Sequence, residues 1–152
     1  MEFIVDSVEK TLNIGEQFGA LVKEGDIICI NGDLGAGKTH FTKGLAKGLG
    51  ITDYITSPTF NILNEYNGRL KLYHFDVYRV NDPDEIAAIG FDDYIFSDSV
   101  SVIEWSNYID ELIPLERINL TITKLPELGD NYRKIVINSI GNRYDYVKEI
   151  KI

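Results

Sequence analysis

Apolar positions along this chain follow two rhythms. Val8, Leu12, Phe18, Leu21 and Val22 form an imperfect helical stripe behind Asp6 or Ser7, either of which caps a helix. Gly25 stands where such a helix ends. Residues 2–5 before it alternate weakly and predict a short strand. "DIICI" (Asp26 to Ile30) is short, apolar and β-branched, which predicts a buried strand. Phe41, Leu45, Ala46 and Leu49 then return to helical spacing, predicting a helix from about Lys38 to Leu49 closed by Gly50.

Further on, "TFNILNEY" and "RLKLYHFDVYRV" flank Asn67-Gly68, a hairpin signal because both residues accept positive φ. Residues 82–89 predict a short helix with Asp82 as cap and Pro83 in the first turn. "SVSVIEW" reads as another buried strand, followed by a helical segment to Leu112 and a break at Pro114. "RINLTITKL" and "YRKIVINSI" alternate around a polar turn with Gly129-Asp130 and predict an antiparallel pair. These elements predict one α/β domain over residues 1–152, with a mixed sheet, an antiparallel hairpin and flanking helices. Gly15 and Gly19 sit four apart inside the first helix, at a cost of about 1 kcal/mol each against alanine. Close packing against another element explains them, and is the reading we prefer over a ligand lying on the glycine face.

The loop between the "DIICI" strand and the next helix carries the chemistry. "GDLGAGKT" (Gly32 to Thr39) matches G-x-x-x-x-G-K-[ST], in the strand–loop–helix setting that the pattern requires. Its glycines let the backbone of Leu34, Gly35, Ala36 and Gly37 wrap an anion. The helix that follows presents its positive dipole end there. Lys38 reaches β- and γ-phosphates, and Thr39 offers a hydroxyl to Mg²⁺. Asp33 is compatible with such a loop if its side chain faces solvent. Mg²⁺ also calls for a carboxylate at the end of a neighbouring buried strand. Glu104 ends "SVSVIEW" and is the first candidate, with Asp76 in the return strand of the hairpin as its rival. One can serve the metal while the other orients the attacking water.

Composition narrows the function. The 152 residues carry a net charge of −9, with 15 Lys and Arg and no polybasic block. Phosphate neutralisation supplies most non-specific nucleic-acid affinity, so direct tight binding of nucleic acid is disfavoured. The chain shows neither a signal core nor a run of membrane-span length, which points to the cytoplasm. Its one cysteine, Cys29, excludes an internal disulfide and reads as a small core residue. His40 and His74 lack metal-site spacing, although His74 shares a strand face with Asp76. No Asn-Lys-x-Asp follows the loop, so ATP is favoured over GTP. Five scattered arginines argue against the runner-up reading, a small-molecule P-loop kinase.

Taken together, "GDLGAGKT", "TSPTFNILNEY", "YHFDVYRV", "DPDEIAAIGFDDY" and "VIEW" resemble the TsaE (YjeE) family in order and spacing. The resemblance implies a single P-loop NTPase domain that binds and slowly hydrolyses ATP with Mg²⁺. It implies a role in threonylcarbamoyl modification (t6A) of adenosine 37 in tRNAs reading ANN codons. The implied partners are a TsaD-like carbamoyltransferase subunit and a TsaB-like subunit, which stimulate the ATPase and through which tRNA is met indirectly. The resemblance puts Lys38 and Thr39 on phosphate and Mg²⁺, Glu104 on Mg²⁺, and Asp76 near the γ-phosphate. Thr59 joins a switch-like loop with Ser57 and Pro58, and Trp105 sits beside the nucleotide. Thr11 becomes a nucleotide contact, which would give the Gly15 and Gly19 face a use, and Arg133 is a further contact carried over from the C-terminal region. His40 departs from the pattern, because the family commonly has a second threonine there.

Overall fold

The computed structural model of the protein describes residues 1–58, 62–78, 80 and 82–152. Seven strands form one sheet in the order β1-β7-β6-β2-β5-β4-β3. They are β1 (Glu2–Val5), β2 (Ile27–Gly32), β3 (Leu63–Asn67), β4 (Lys71–Asp76), β5 (Ser99–Glu104), β6 (Arg117–Lys124) and β7 (Arg133–Ile140). The middle is parallel: β2 pairs with both β5 and β6, and β5 with β4. Both edges are antiparallel, through β3 on β4, and β7 on β6 and β1. The sheet is therefore mixed, as the sequence predicts. Every residue of β5 is buried, the polar Ser99, Ser101 and Glu104 included.

The two faces of the sheet carry different layers. Helices α1 (Val8–Leu21) and α2 (Lys38–Gly48) cover one face, burying Ile14, Phe18, Phe41 and Leu45 on Ile28, Ile30, Val102 and Leu120. Side chains of this kind contribute on the order of 1.5–3 kcal/mol each when fully buried. Two short helices, α3 (Pro83–Ala88) and α4 (Phe91–Ile95), lie on the other face with the 3-10 segment Ser106–Leu112. They bring Ile86, Phe91 and Ile109 onto Cys29, Phe75 and Ile103. Asp82 caps α3 as its sequence position predicts, accepting from the Asp84 N–H at 3.0 Å.

The glycines of α1 face α2. A Cβ on Gly15 would stand 2.3 Å from the Phe41 carbonyl oxygen, and one on Gly19 2.2 Å from that of Leu45. Gly44 and Gly48 on α2 answer them: a Cβ there would meet the Leu12 and Glu16 carbonyls at 2.1 and 2.2 Å. Backbone rests on backbone along this seam. Close packing is thus the reason for Gly15 and Gly19, and the alternative of a ligand on that face is set aside.

Two local features differ from the sequence expectation. The hairpin forms, but Asn67 pairs with Lys71, leaving residues 68–70 as the loop. Gly68 does not take positive φ; its missing Cβ makes room for the Leu49 carbonyl oxygen, which such a carbon would meet at 2.5 Å. Beyond β7 a second 3-10 segment, Asn142–Glu149, returns to the start of β2. There the buried Asp26 carboxylate accepts from the Tyr146 hydroxyl at 2.7 Å, Arg143 Nε at 3.0 Å and the Lys23 N–H at 2.8 Å. The Tyr144 hydroxyl accepts from the Ile27 N–H at 3.0 Å. This anchorage secures the strand that leads into the glycine-rich loop.

Candidate nucleotide-phosphate site

The loop lies at the C-terminal end of β2, where α/β sheets hold ligands. β4 and β5 end on the same side, with Asp76 in register opposite Glu104. Strand alternation puts His74, Asp76 and Glu104 on the face covered by α1 and α2. Lys38, Thr39, Asp76 and Glu104 line one cleft of about 180 Å³ with Ser57 and Trp105. Four sequence-predicted groups from three separated segments thus converge.

The loop is built for close approach by an anion. Gly37, the N-cap of α2, has φ 117° and ψ 17°, a conformation that a Cβ would strain. No side chain caps α2, so its first N–H groups keep their donors for a ligand. Asp33 is exposed, as the loop requires of an acidic residue. Lys38 is buried, and its ammonium donates to the Gly32 and Asp33 carbonyls at 2.7 and 2.8 Å. It stands 4.1 Å from the centre of the Trp105 ring. Burial pushes the Lys38 ammonium down from its ordinary value, against the pull of Glu104, Asp76 and Asp33.

Hydroxyls link the loop to the carboxylates. Thr39 Oγ1 lies 3.3 Å from Ser57 Oγ, which donates to Asp76 Oδ2 at 3.4 Å. The other Asp76 oxygen accepts from the Tyr78 N–H at 3.1 Å. Burial pushes the Asp76 carboxyl up; Tyr78 and His74 work against that, while the Glu104 charge adds to it. Thr59, the other residue expected in this loop, lies outside the described residues.

Glu104 is 2% exposed, and one of its oxygens is bonded to Nε2 of the fully buried His74. Next to it Trp105 takes φ 62° and ψ 34°, the one non-glycine residue with positive φ among the described residues. Such a conformation costs about 1–3 kcal/mol and concentrates at functional sites. It turns the chain out of β5 and sets the indole over Lys38, with Tyr78 and Tyr108 rings 4.6 and 6.0 Å away. Sequence reasoning expected Trp105 near a nucleotide but read it as the end of a strand.

A smaller cavity of about 50 Å³ lies on the other side of the loop, between Thr11, Gly37, His40 and Arg133. Arg133 Nε donates to the Ala36 carbonyl at 3.0 Å. Thr11 and Arg133, expected from resemblance alone, are therefore brought together beside Gly35, Ala36 and Gly37. Leu34 is exposed and lines the larger cleft. His40, the departure from the family pattern, borders both cavities.

The residues present suit a Mg²⁺–triphosphate. The donors are carboxylates and hydroxyls, which a hard cation prefers. Among the described residues no three His, Cys, Asp or Glu side chains cluster as a metal cage. Mg²⁺ commonly takes only one or two protein oxygens and completes its shell with phosphate and water.

Comparison with known proteins finds relatives of one family. The sequence model of the family "Threonylcarbamoyl adenosine biosynthesis protein TsaE" matches residues 5–135. The tRNA threonylcarbamoyladenosine biosynthesis protein TsaE of Bacillus subtilis (strain 168) is 46% identical over 142 residues, spanning 93% of this chain and 87% of that protein. The protein of the same name from Treponema pallidum (strain Nichols) is 39% identical over 137 residues, 90% of this chain and 99% of that one. A crystal structure of Bacillus subtilis YdiB superposes with a TM-score of 0.84 at 40% identity, covering 98% of this chain and 91% of that one.

Proposed function

The chain belongs to the TsaE family and acts in tRNA threonylcarbamoyladenosine biosynthesis, and from that premise we propose that it is the ATP-binding and hydrolysing subunit of that pathway. The convergence of Lys38, Thr39, Asp76 and Glu104 on the cleft at the start of α2 carries this reading. The loop amides and Lys38 hold the β- and γ-phosphates. Thr39 and Glu104 would hold Mg²⁺. Bound there, the metal ion would neutralise charge on the phosphate oxygens. Asp76 orients a water whose oxygen bonds to the γ-phosphorus as the bond to the β–γ bridging oxygen breaks. Asp76 takes the water's proton, for which its raised affinity for protons suits it. Ser57 joins Asp76 to Thr39, and Thr59 acts with it in switching. Thr11, Trp105 and Arg133 border the rest of the nucleotide.

The acidic chain docks to protein and meets tRNA through its complex with TsaD-like and TsaB-like subunits, in the cytoplasm. No helix among the described residues is long and apolar enough to cross a membrane. Phosphate release from ATP, measured with and without both partners at matched concentration, tests this function. The expected result is slow Mg²⁺-dependent hydrolysis that rises on adding the partners. A rate unchanged by cognate partners contradicts the proposal, and phosphate transfer to a small acceptor would favour a kinase instead.

A further inference from the structure

His74 is fully buried, and the single hydrogen bond of its side chain among the described residues is to Glu104. Its Nδ1 has no partner among those residues. A core histidine that served packing alone would be poorly placed here, because a buried ring nitrogen left without a partner is costly. Its register partners on that face are Val102 on β5 and Asn64 on β3, whose amide nitrogen is turned to Thr56 and Tyr66. With a hydrogen on Nε2, the ring directs that donor at the carboxylate. Parallel pairing sets His74 beside Val102 and Asp76 beside Glu104, so the ring leans forward along the sheet to reach the glutamate.

The bond leaves the other Glu104 oxygen without a hydrogen bond among the described residues, on a side chain that lines the cleft. Lys38 feels the charges of Glu104 and Asp76, yet among the described residues it ion-pairs with neither and bonds to loop carbonyls. A free carboxylate beside a half-desolvated ammonium would turn towards it. The pair so formed would withdraw both the metal ligand and the phosphate-binding cation.

We propose that His74 is a positioning residue: its Nε2–H holds one oxygen of Glu104, keeps the carboxylate off Lys38, and presents the other oxygen to the divalent cation. This rests on the reading of Glu104 as a Mg²⁺ ligand. Groups that orient a metal ligand commonly account for tenfold to hundredfold in metal affinity.

The test is calorimetric titration of the full chain with AMP-PNP at a series of Mg²⁺ concentrations, for wild type, His74→Phe and His74→Gln. Thermal melting reports folding beside it. His74→Phe fills the space without a donor; His74→Gln returns an N–H to roughly the same place. We expect the half-saturating Mg²⁺ concentration to rise about tenfold to a hundredfold in His74→Phe, and His74→Gln to recover most of it. A purely structural histidine would lower the melting temperature and leave the Mg²⁺ requirement unmoved, which overturns the proposal. So does a glutamine variant as impaired as the phenylalanine one. Should His74→Phe not fold, His74→Met, with its adaptable side chain, makes the same comparison; if neither folds, His74 serves the core and the proposal falls. Wild-type protein whose AMP-PNP affinity ignores Mg²⁺ removes the metal site itself, and His74's role with it.

Discussion

Two sets of glycines, a few residues apart in sequence, answer to different physics. Along the α1–α2 seam, Gly15, Gly19, Gly44 and Gly48 have no positive φ and no room: each would drive a Cβ to within 2.3 Å of a backbone carbonyl oxygen. In the loop, Gly37 has positive φ and ample room, with its nearest obstacle, the Thr11 methyl, at 3.9 Å. The first set lets two helices touch; the second leaves a space that the protein itself does not fill. Sequence spacing shows both as glycines, but only space and φ separate a fold-making glycine from a ligand-making one.

The largest effect should come from Gly44→Ala. With a Cβ 2.1 Å from the Leu12 carbonyl oxygen, the helices must part, and we expect a loss of about 3 kcal/mol or more in denaturant unfolding. A stability within about 0.5 kcal/mol of wild type would show that the seam yields freely.

Gly37→Ala should divide the effect the other way. Strain at φ 117° costs about 1–3 kcal/mol, and the distorted loop should weaken AMP-PNP binding by roughly tenfold or more. Unchanged affinity in a folded variant would make Gly37 a structural turn.

Asp76→Asn should give the smallest shift, and in the stabilising direction. Burial raises the native carboxyl above its ordinary 3.8. Between those two values the folded state holds more protons, so stability falls as pH rises through that window. The full cost of the charge then remains at neutral pH. The amide removes it while its oxygen still accepts from the Tyr78 N–H and its NH2 faces the Ser57 hydroxyl, which then serves as acceptor. We expect a higher melting temperature at pH 7, shrinking towards pH 4, together with loss of hydrolysis. A lower melting temperature at pH 7 would mean that the carboxylate's bonds outweigh its burial.

What could be read beforehand follows the range of the interactions. β2, the loop, α2 and β5 are local or fully buried runs, so pattern and spacing reveal them and the Lys38, Thr39, Glu104 set. The Asn142–Glu149 segment owes its place to bonds between Tyr144, Tyr146 and residues 117 to 120 positions away, which no local pattern carries. Asn-Gly predicts positive φ at Gly68, but Gly68 does not take it; there the missing Cβ makes room for the Leu49 carbonyl, a contact that no local pattern carries. The strained Trp105 backbone and the reach of His74 to Glu104 depend on how β4 and β5 register, which is a tertiary fact. His74 and Asp76 were legible as neighbours on a strand face, but not the bond that ties His74 to Glu104.

The central claim is that the loop glycines and Lys38 form a nucleotide-phosphate site. Calorimetric titration of wild type and Lys38→Ala with AMP-PNP and Mg²⁺ tests it most directly. Losing charge-assisted bonds to phosphate should weaken a saturable wild-type isotherm by roughly tenfold to a hundredfold. Equal affinity in a folded Lys38→Ala variant, or no saturable binding by wild type, would contradict it.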